Sequence, residues 1–233
     1  MPLWVYDETG KLVTSQGAFE FTLTADSGSN QTVNNGETVD IAGGVGIATT
    51  ASTTNTVTID SVWDYEEILG SSGSFDVDLT TDVATWDSNV KSMIIEVGLR
   101  STVASTQDVV YLFFNNDTTA SNYFRQYLNS NDGAVAGVED ATPSIGNCPA
   151  STSPSSSFMM GEIKISMPNS TNYRKVARLE LTGNLGTATL RNDRGGMVWE
   201  ASTSAITRIQ IRTDNNPTDL FATNSFIRIR LIK

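Results

Sequence analysis

Phe226-Ile227-Arg228-Ile229-Arg230-Leu231-Ile232 alternates aliphatic with charged positions. A period of two places such residues on opposite faces of an extended strand, one face toward a core and one toward water. Working back along the chain, strand-like runs recur at regular spacing, at residues 74–79, 92–99, 109–114, 123–128, 161–167, 176–181, 197–199 and 205–212. Turn residues separate them, and no window of ten residues carries a 3.6-residue period. The segment Trp63-Asp64-Tyr65-Glu66-Glu67-Ile68-Leu69 reads as one helical turn or a lead-in strand. Many short strands with turns between them predict an all-β sandwich, jelly-roll-like, over residues 61–233.

Composition agrees with that reading. The 233 residues include 30 Thr, 25 Ser, 18 Asn and 18 Gly, which suits strands and turns and disfavours long helices. There is no His in the chain, so no Ser-His or Cys-His pair and no His-bound metal can be built from it. The single cysteine, Cys148, has no partner for an internal disulfide and reads as a bystander thiol in a Ser-rich loop. No apolar run approaches the length of a membrane-spanning helix, and the first residues lack the basic head and apolar core of a signal peptide. The expectation is a protein made in a cytoplasm that does not leave by the ordinary secretory route.

Charge divides the chain. Residues 1–70 hold one base, Lys11, against ten acids, whereas residues 71–233 hold 14 bases against 16 acids. Such asymmetry marks separate modules. Phe19-Glu20-Phe21-Thr22-Leu23-Thr24 and Asn55-Thr56-Val57-Thr58-Ile59-Asp60 have period two, but large apolar groups are few before residue 60. Residues 1–60 therefore read as a small β module for anchoring or oligomerisation, too thin to offset its chain entropy alone. Trp4, Tyr6, Phe19 and Phe21 are its candidate contacts to a partner surface or to its own copies, or else its own small core. The acidic front repels nucleic acid and suits a basic protein surface, or simply solvates a thin module.

Other motifs read as structure. Gly43-Gly44-Val45-Gly46-Ile47 lacks the Lys-Ser/Thr ending of a phosphate loop and is followed by no helical pattern. Asn115-Asn116-Asp117 and Asn129-Ser130-Asn131-Asp132-Gly133 lack the spacing of a calcium loop and read as turns. Carboxylates such as Asp76, Asp78 and Asp82, or Glu66 with Glu67, could supply a glycosidase pair, but pairs abound in a chain with 26 acids. Arg208, Arg212, Arg228 and Arg230 suggest a basic stripe on neighbouring strands, or an outer face with cross-strand acidic partners; without interleaved aromatics it is not a nucleic-acid site. Residues 137–157, rich in Ser, Thr and Pro, read as a long loop.

The stretch Phe21-Thr22-Leu23-Thr24-Ala25-Asp26-Ser27-Gly28, then residues 36–47 (GETVDIAGGVGI), then Thr56-Val57-Thr58-Ile59-Asp60, resembles a segment recurrent in tailed-bacteriophage virion proteins. From about residue 65 onward the chain is similar to a β-sandwich module of the same kind of protein. Asn122-Tyr123, Gly161-Glu162-Ile163-Lys164-Ile165, Gly195-Gly196-Met197-Val198-Trp199 and Phe221-Ala222-Thr223-Asn224-Ser225 carry that similarity. The resemblance implies a non-enzymatic virion structural protein without catalytic, cofactor or metal residues. Its expected form is a homotrimeric capsid decoration or head-fibre protein that docks on the major capsid protein, or another virion protein, through residues 1–60. The alternative is a tail fibre or receptor-binding protein whose sandwich contacts a host-surface glycan through the 137–157 loop and an exposed Tyr or Trp. Trp199, Tyr123 and Tyr127 are the aromatics in question, with core packing their default role.

Overall fold

The computed structural model describes residues 63–233 apart from 132–133, 187–188, 202 and 214–219, together with Thr9 and six short strands before residue 62. The chain divides into two compact units, residues 1–44 with 48–59, and residues 45–47 with 60–233. The six early strands are β1 (Val5–Tyr6), β2 (Leu12–Val13), β3 (Phe21–Leu23), β4 (Gln31–Val33), β5 (Ile47–Ala51) and β6 (Val57–Ser61). They pair as three two-stranded ribbons, β1 with β2, β3 with β4 and β5 with β6. In the β3–β4 ribbon the exposed Thr22 and Thr32 stand opposite each other.

Twelve strands build the second unit. They are β7 (Tyr65–Ile68), β8 (Phe75–Asp78), β9 (Ser92–Leu99), β10 (Gln107–Phe114), β11 (Tyr123–Asn131), β12 (Ala134–Asp140), β13 (Ser144–Pro149), β14 (Met159–Ser166), β15 (Lys175–Gly186), β16 (Thr189–Trp199), β17 (Arg208–Thr213) and β18 (Phe226–Ile232). A 3-10 turn at Ala120–Asn122 precedes β11, and no α-helix occurs among the described residues. One sheet has eight strands in the order β12-β11-β16-β15-β14-β9-β18-β7, the other four in the order β13-β10-β17-β8. The two sheets pack as an antiparallel sandwich.

The pairing is nested. β7 pairs with β18, β8 with β17, β9 with β14 and β10 with β13. A long hairpin folded over on itself in this way is a jelly roll, the expected architecture. Two insertions enlarge it. The hairpin β11–β12 lies between β10 and β13 in the chain, and the hairpin β15–β16 lies between β14 and β17. Both extend the large sheet beyond β14.

Alternation decides which face is buried. Met93, Ile95, Val97 and Leu99 of β9 and Ile163 and Ile165 of β14 face Val110, Leu112 and Phe114 of β10 and Ile209 and Ile211 of β17 in one core. Each buried aliphatic or aromatic side chain contributes about 1.5–3 kcal/mol relative to exposure. The intervening residues of β14 and β15, such as Lys164, Arg178 and Glu180, form the outer face. Gly98 lies where a Cβ would fall 2.3 Å from the Phe226 ring. The aromatic ring therefore occupies the space above the glycine on the neighbouring strand.

Several expectations are corrected here. Residues 137–157 are not one loop: they contain the end of β12, a three-residue connection at 141–143, all of β13, and a longer connection from residue 150. Gly137, Pro143, Gly146 and Pro149 interrupt the alternation that would have marked these strands. Cys148 consequently sits in β13, fully buried, and burial pushes its thiol well above the usual value. Of the two readings left open for residues 63–69, the lead-in strand holds: β7 spans Tyr65–Ile68. The four arginines do not form one stripe, because Arg208 and Arg212 belong to the small sheet and Arg228 and Arg230 to the large one. Arg208 is bound to Asp76 at 2.6 Å, and Arg228 to Glu66 at 2.6 Å and Glu96 at 3.7 Å, the cross-strand acidic partners of the alternative reading.

Candidate functional site

The nested pairing gathers four connections at one end of the sandwich: β7–β8, β9–β10, β13–β14 and β17–β18. Backbone hydrogen bonds lace them together. Leu69 N donates to Ser225 O at 2.9 Å and Asn224 N to Leu69 O at 2.8 Å, joining the first connection to the last. Ala222 N donates to Arg100 O at 2.7 Å and Thr102 N to Leu220 O at 2.9 Å, joining the second to the last. Phe221 bridges to both Gly73 and Ser101, and its fully buried ring packs 5.6 Å from that of Phe75. Residues 69–73, 100–102 and 220–225 are thus held by one another at this end of the sandwich.

The third connection is bonded to the second through Ala150 N to Thr106 O (3.2 Å), Ser151 N to Val103 O (3.0 Å) and Thr152 N to Ser105 O (3.0 Å), and Arg100 adds a side-chain anchor. The buried Arg100 guanidinium donates through Nη1 to Pro154 O (2.6 Å) and Ser157 O (3.1 Å), and through Nη2 to Ser153 O (2.9 Å) and, more weakly, Ser151 O (3.4 Å). Arginine's fixed fork of donors suits this task, since it reaches several carbonyls at once. Ser153 Oγ adds a bond to Leu185 O at 2.7 Å, tying the loop to β15.

Between these loops lies a cleft of about 690 Å³. Ser71 and Ser72 come from the first connection, Thr102 from the second, Ser155, Ser156 and Phe158 from the third, and Thr223 and Asn224 from the last. All but the half-buried Phe158 are exposed. Arg100 is the one charged residue of the lining, and its guanidinium already points at the loop carbonyls. Asn224, exposed in the lining, has φ of 68°, the left-handed region that asparagine tolerates better than most residues. The arrangement offers short hydroxyl and amide groups beside one aromatic ring. No set of His, Cys, Asp or Glu able to hold a metal ion occurs among the described residues.

The acids singled out as a possible pair are held in structural contacts. Asp76 accepts from Arg208 and Gln210, and the Arg208 hydrogen bond holds its carboxyl below the usual aspartate value against an opposing effect of burial. Asp78 caps its own turn by accepting from Thr80 N and Oγ1. Asp82 accepts from Asp78 N, and Glu67 from the Tyr65 hydroxyl. At the opposite end of the sandwich Asp117 receives Trp199 Nε1 at 2.7 Å and the Asn122 amide. Asn115 and Asn116 there adopt φ of 53° and 61°, the expected turn.

The candidate ligand aromatics Tyr123, Tyr127 and Trp199 are all buried; Tyr123 and Trp199 belong to the core, while Tyr127 lines a cavity of about 550 Å³ together with Gln126, Leu128 and Glu139. Tyr123 donates to Asp117 O and accepts from Phe114 N, and the Arg125 guanidinium covers the Tyr127 ring at 4.6 Å. Of the N-terminal candidates, Trp4 and Phe19 lie outside the described residues; Tyr6 and Phe21 fall in β1 and β3, and their side chains lie outside what is described. Of the cleft residues, Ser155 and Ser156 fall in the 137–157 stretch named for glycan contact, whereas Ser71, Phe158 and Asn224 carry no contact signal in the sequence. Only the nested pairing shows that their four loops share one end.

Comparison of the chain with protein-family models, with curated proteins and with solved structures finds no match.

Proposed function

We propose that this chain is a non-enzymatic structural protein of a tailed-bacteriophage virion, a capsid decoration or head-fibre protein. Residues 1–60 dock on the capsid and the jelly roll is the displayed part, with a homotrimer as the assembled form. The observation that carries the reading is the division of labour in the chain. A self-sufficient sandwich with a continuous core follows a strongly acidic unit of two- to five-residue strands. Isolated two-stranded ribbons are marginal in water, so such a unit gains most from a surface to bind. The resemblance of residues 21–60 to phage virion segments supports the same assignment, as does a core that relies on packing with its thiol buried.

The test uses capsids of the phage that encodes the chain, prepared from a mutant lacking it. Full-length protein added back is expected to cosediment with them, saturating in stoichiometry with the major capsid protein. Failure to bind, with binding to purified tails instead, overturns the decoration reading. The preformed cleft between the four loops supports a second reading, a receptor-binding protein whose sandwich contacts host-surface glycan. Its test is adsorption of the full chain to host cells.

A further inference from the structure

We propose that the cleft between the β7–β8, β9–β10, β13–β14 and β17–β18 connections binds a neutral saccharide. The inference rests on the receptor-binding reading and gives that reading a site and a ligand class. Size is the first argument: about 690 Å³ lies within the ~300–1,000 Å³ of ordinary small-molecule sites.

Charge is the second argument. A phosphate or sialic-acid carboxylate would need a cation, and Arg100, the one cation of the lining, already donates to the Pro154, Ser153 and Ser157 carbonyls. With no carboxylate in the lining, an amine or cation lacks a counter-charge as well. Functional-group chemistry is the third. Ser72, Ser156, Thr223 and Asn224 carry groups that both donate and accept, the complement of a sugar hydroxyl. The half-buried Phe158 supplies an apolar ring against which the C–H face of a pyranose packs.

Preorganisation is the fourth. The lining segments 69–73, 100–102 and 220–225, bonded to each other through Leu69, Arg100, Ala222 and Ser225, lose little freedom when a ligand arrives. A weak neutral ligand needs this, because its hydroxyls exchange bonds with water for bonds with protein at small net gain.

The experiment is saturation-transfer NMR on the full-length protein. The probes are methyl glycosides of glucose, galactose, mannose and N-acetylglucosamine, with N-acetylneuraminic acid as the charged control. At least one neutral glycoside is expected to receive saturation and the control none. Asn224→Gly preserves the positive φ while removing the amide, and Phe158→Leu preserves apolar burial while removing the ring. Each is expected to weaken binding by about tenfold, the loss of one good polar or stacking contact. Thr223→Val, an exposed near-isostere, guards against a variant that fails to fold.

Binding unchanged in all three folded variants, or no neutral glycoside bound while the protein still adsorbs to host cells, overturns this inference and leaves the receptor-binding reading standing. Absence of both glycoside binding and host-cell adsorption removes the two together. Neither result touches the capsid cosedimentation that tests the decoration reading.

Discussion

Replacing Arg100 with methionine removes a guanidinium that donates at 2.6 Å to Pro154 O, at 3.1 Å to Ser157 O and at 2.9 Å to Ser153 O. Each hydrogen bond from a charged donor contributes about 1.5–3 kcal/mol net. Pro154 is exposed and its carbonyl regains water, so the Ser153 and Ser157 carbonyls, in buried residues, carry most of the loss. Methionine replaces the apolar stem of arginine but none of its donors. The expected destabilisation is therefore about 3–5 kcal/mol. For a unit of this size about 2–4 °C accompanies each kcal/mol, so the midpoint falls by about 10 °C. Differential scanning calorimetry of the full chain reads the midpoint, and hydrogen exchange over residues 151–157 reads the loop. Arg100→Lys is expected to recover part of both, since an ammonium reaches fewer of the carbonyls. A midpoint shift under about 2 °C with loop protection unchanged would refute the role given to Arg100.

Three further outcomes follow from particular contacts. Gly98→Ala drives a Cβ to 2.3 Å from Phe226 and is expected to cost about 1–3 kcal/mol, but little in a Phe226→Ala background; denaturant unfolding of the double-mutant cycle measures the coupling. The fully buried Lys175 ammonium donates to Ser170, Tyr173 and Thr203 carbonyls, and burial lowers its pKa below the usual lysine value. The unfolded chain therefore binds this proton more tightly, and the Lys175 contribution to stability rises as pH rises from the lowered pKa toward about 10.4. Stability against Lys175→Met across that window isolates it; equal pH profiles for the two proteins would contradict it. Asp76, its pKa lowered by Arg208, stabilises the fold above its unfolded pKa, and that contribution is lost as pH falls through the folded value. Asp76→Asn should flatten the acid limb of the stability profile, and an unaltered limb would argue against the pair.

How much of this was legible in sequence depended on what interrupts alternation. β9 is a mostly apolar run buried on both faces with Glu96 its one charged residue, while β14 and β18 declare themselves, because the buried Ile163 and Ile165, or Ile227 and Ile229, alternate with the charged Glu162 and Lys164, or Arg228 and Arg230. β12 and β13 do not. β12 is exposed along most of its length and has no buried stripe to detect, while Gly146 and Pro149 break the pattern of β13. Gly146 is required by a close approach: a Cβ there would fall 2.6 Å from the Asp193 carboxylate on the opposing sheet. Aromatics in strands were rightly read as core by default, as Tyr123 and Trp199 show. The cleft was illegible for a different reason. Ser71, Thr102, Ser155 and Asn224 lie up to 153 positions apart, and nothing local to any of them indicates that four loops meet. That information resides in which strand pairs with which, a non-local property that hydrophobic period does not encode.

The most direct test of the virion assignment is cryo-electron microscopy of the mature phage particle that encodes this chain. The account predicts density for the jelly roll, recognisable by its eight- and four-stranded sheets, at repeated sites on the capsid, joined to the shell by residues 1–60. Density for the chain confined to the tail, or none anywhere on the particle, would contradict it.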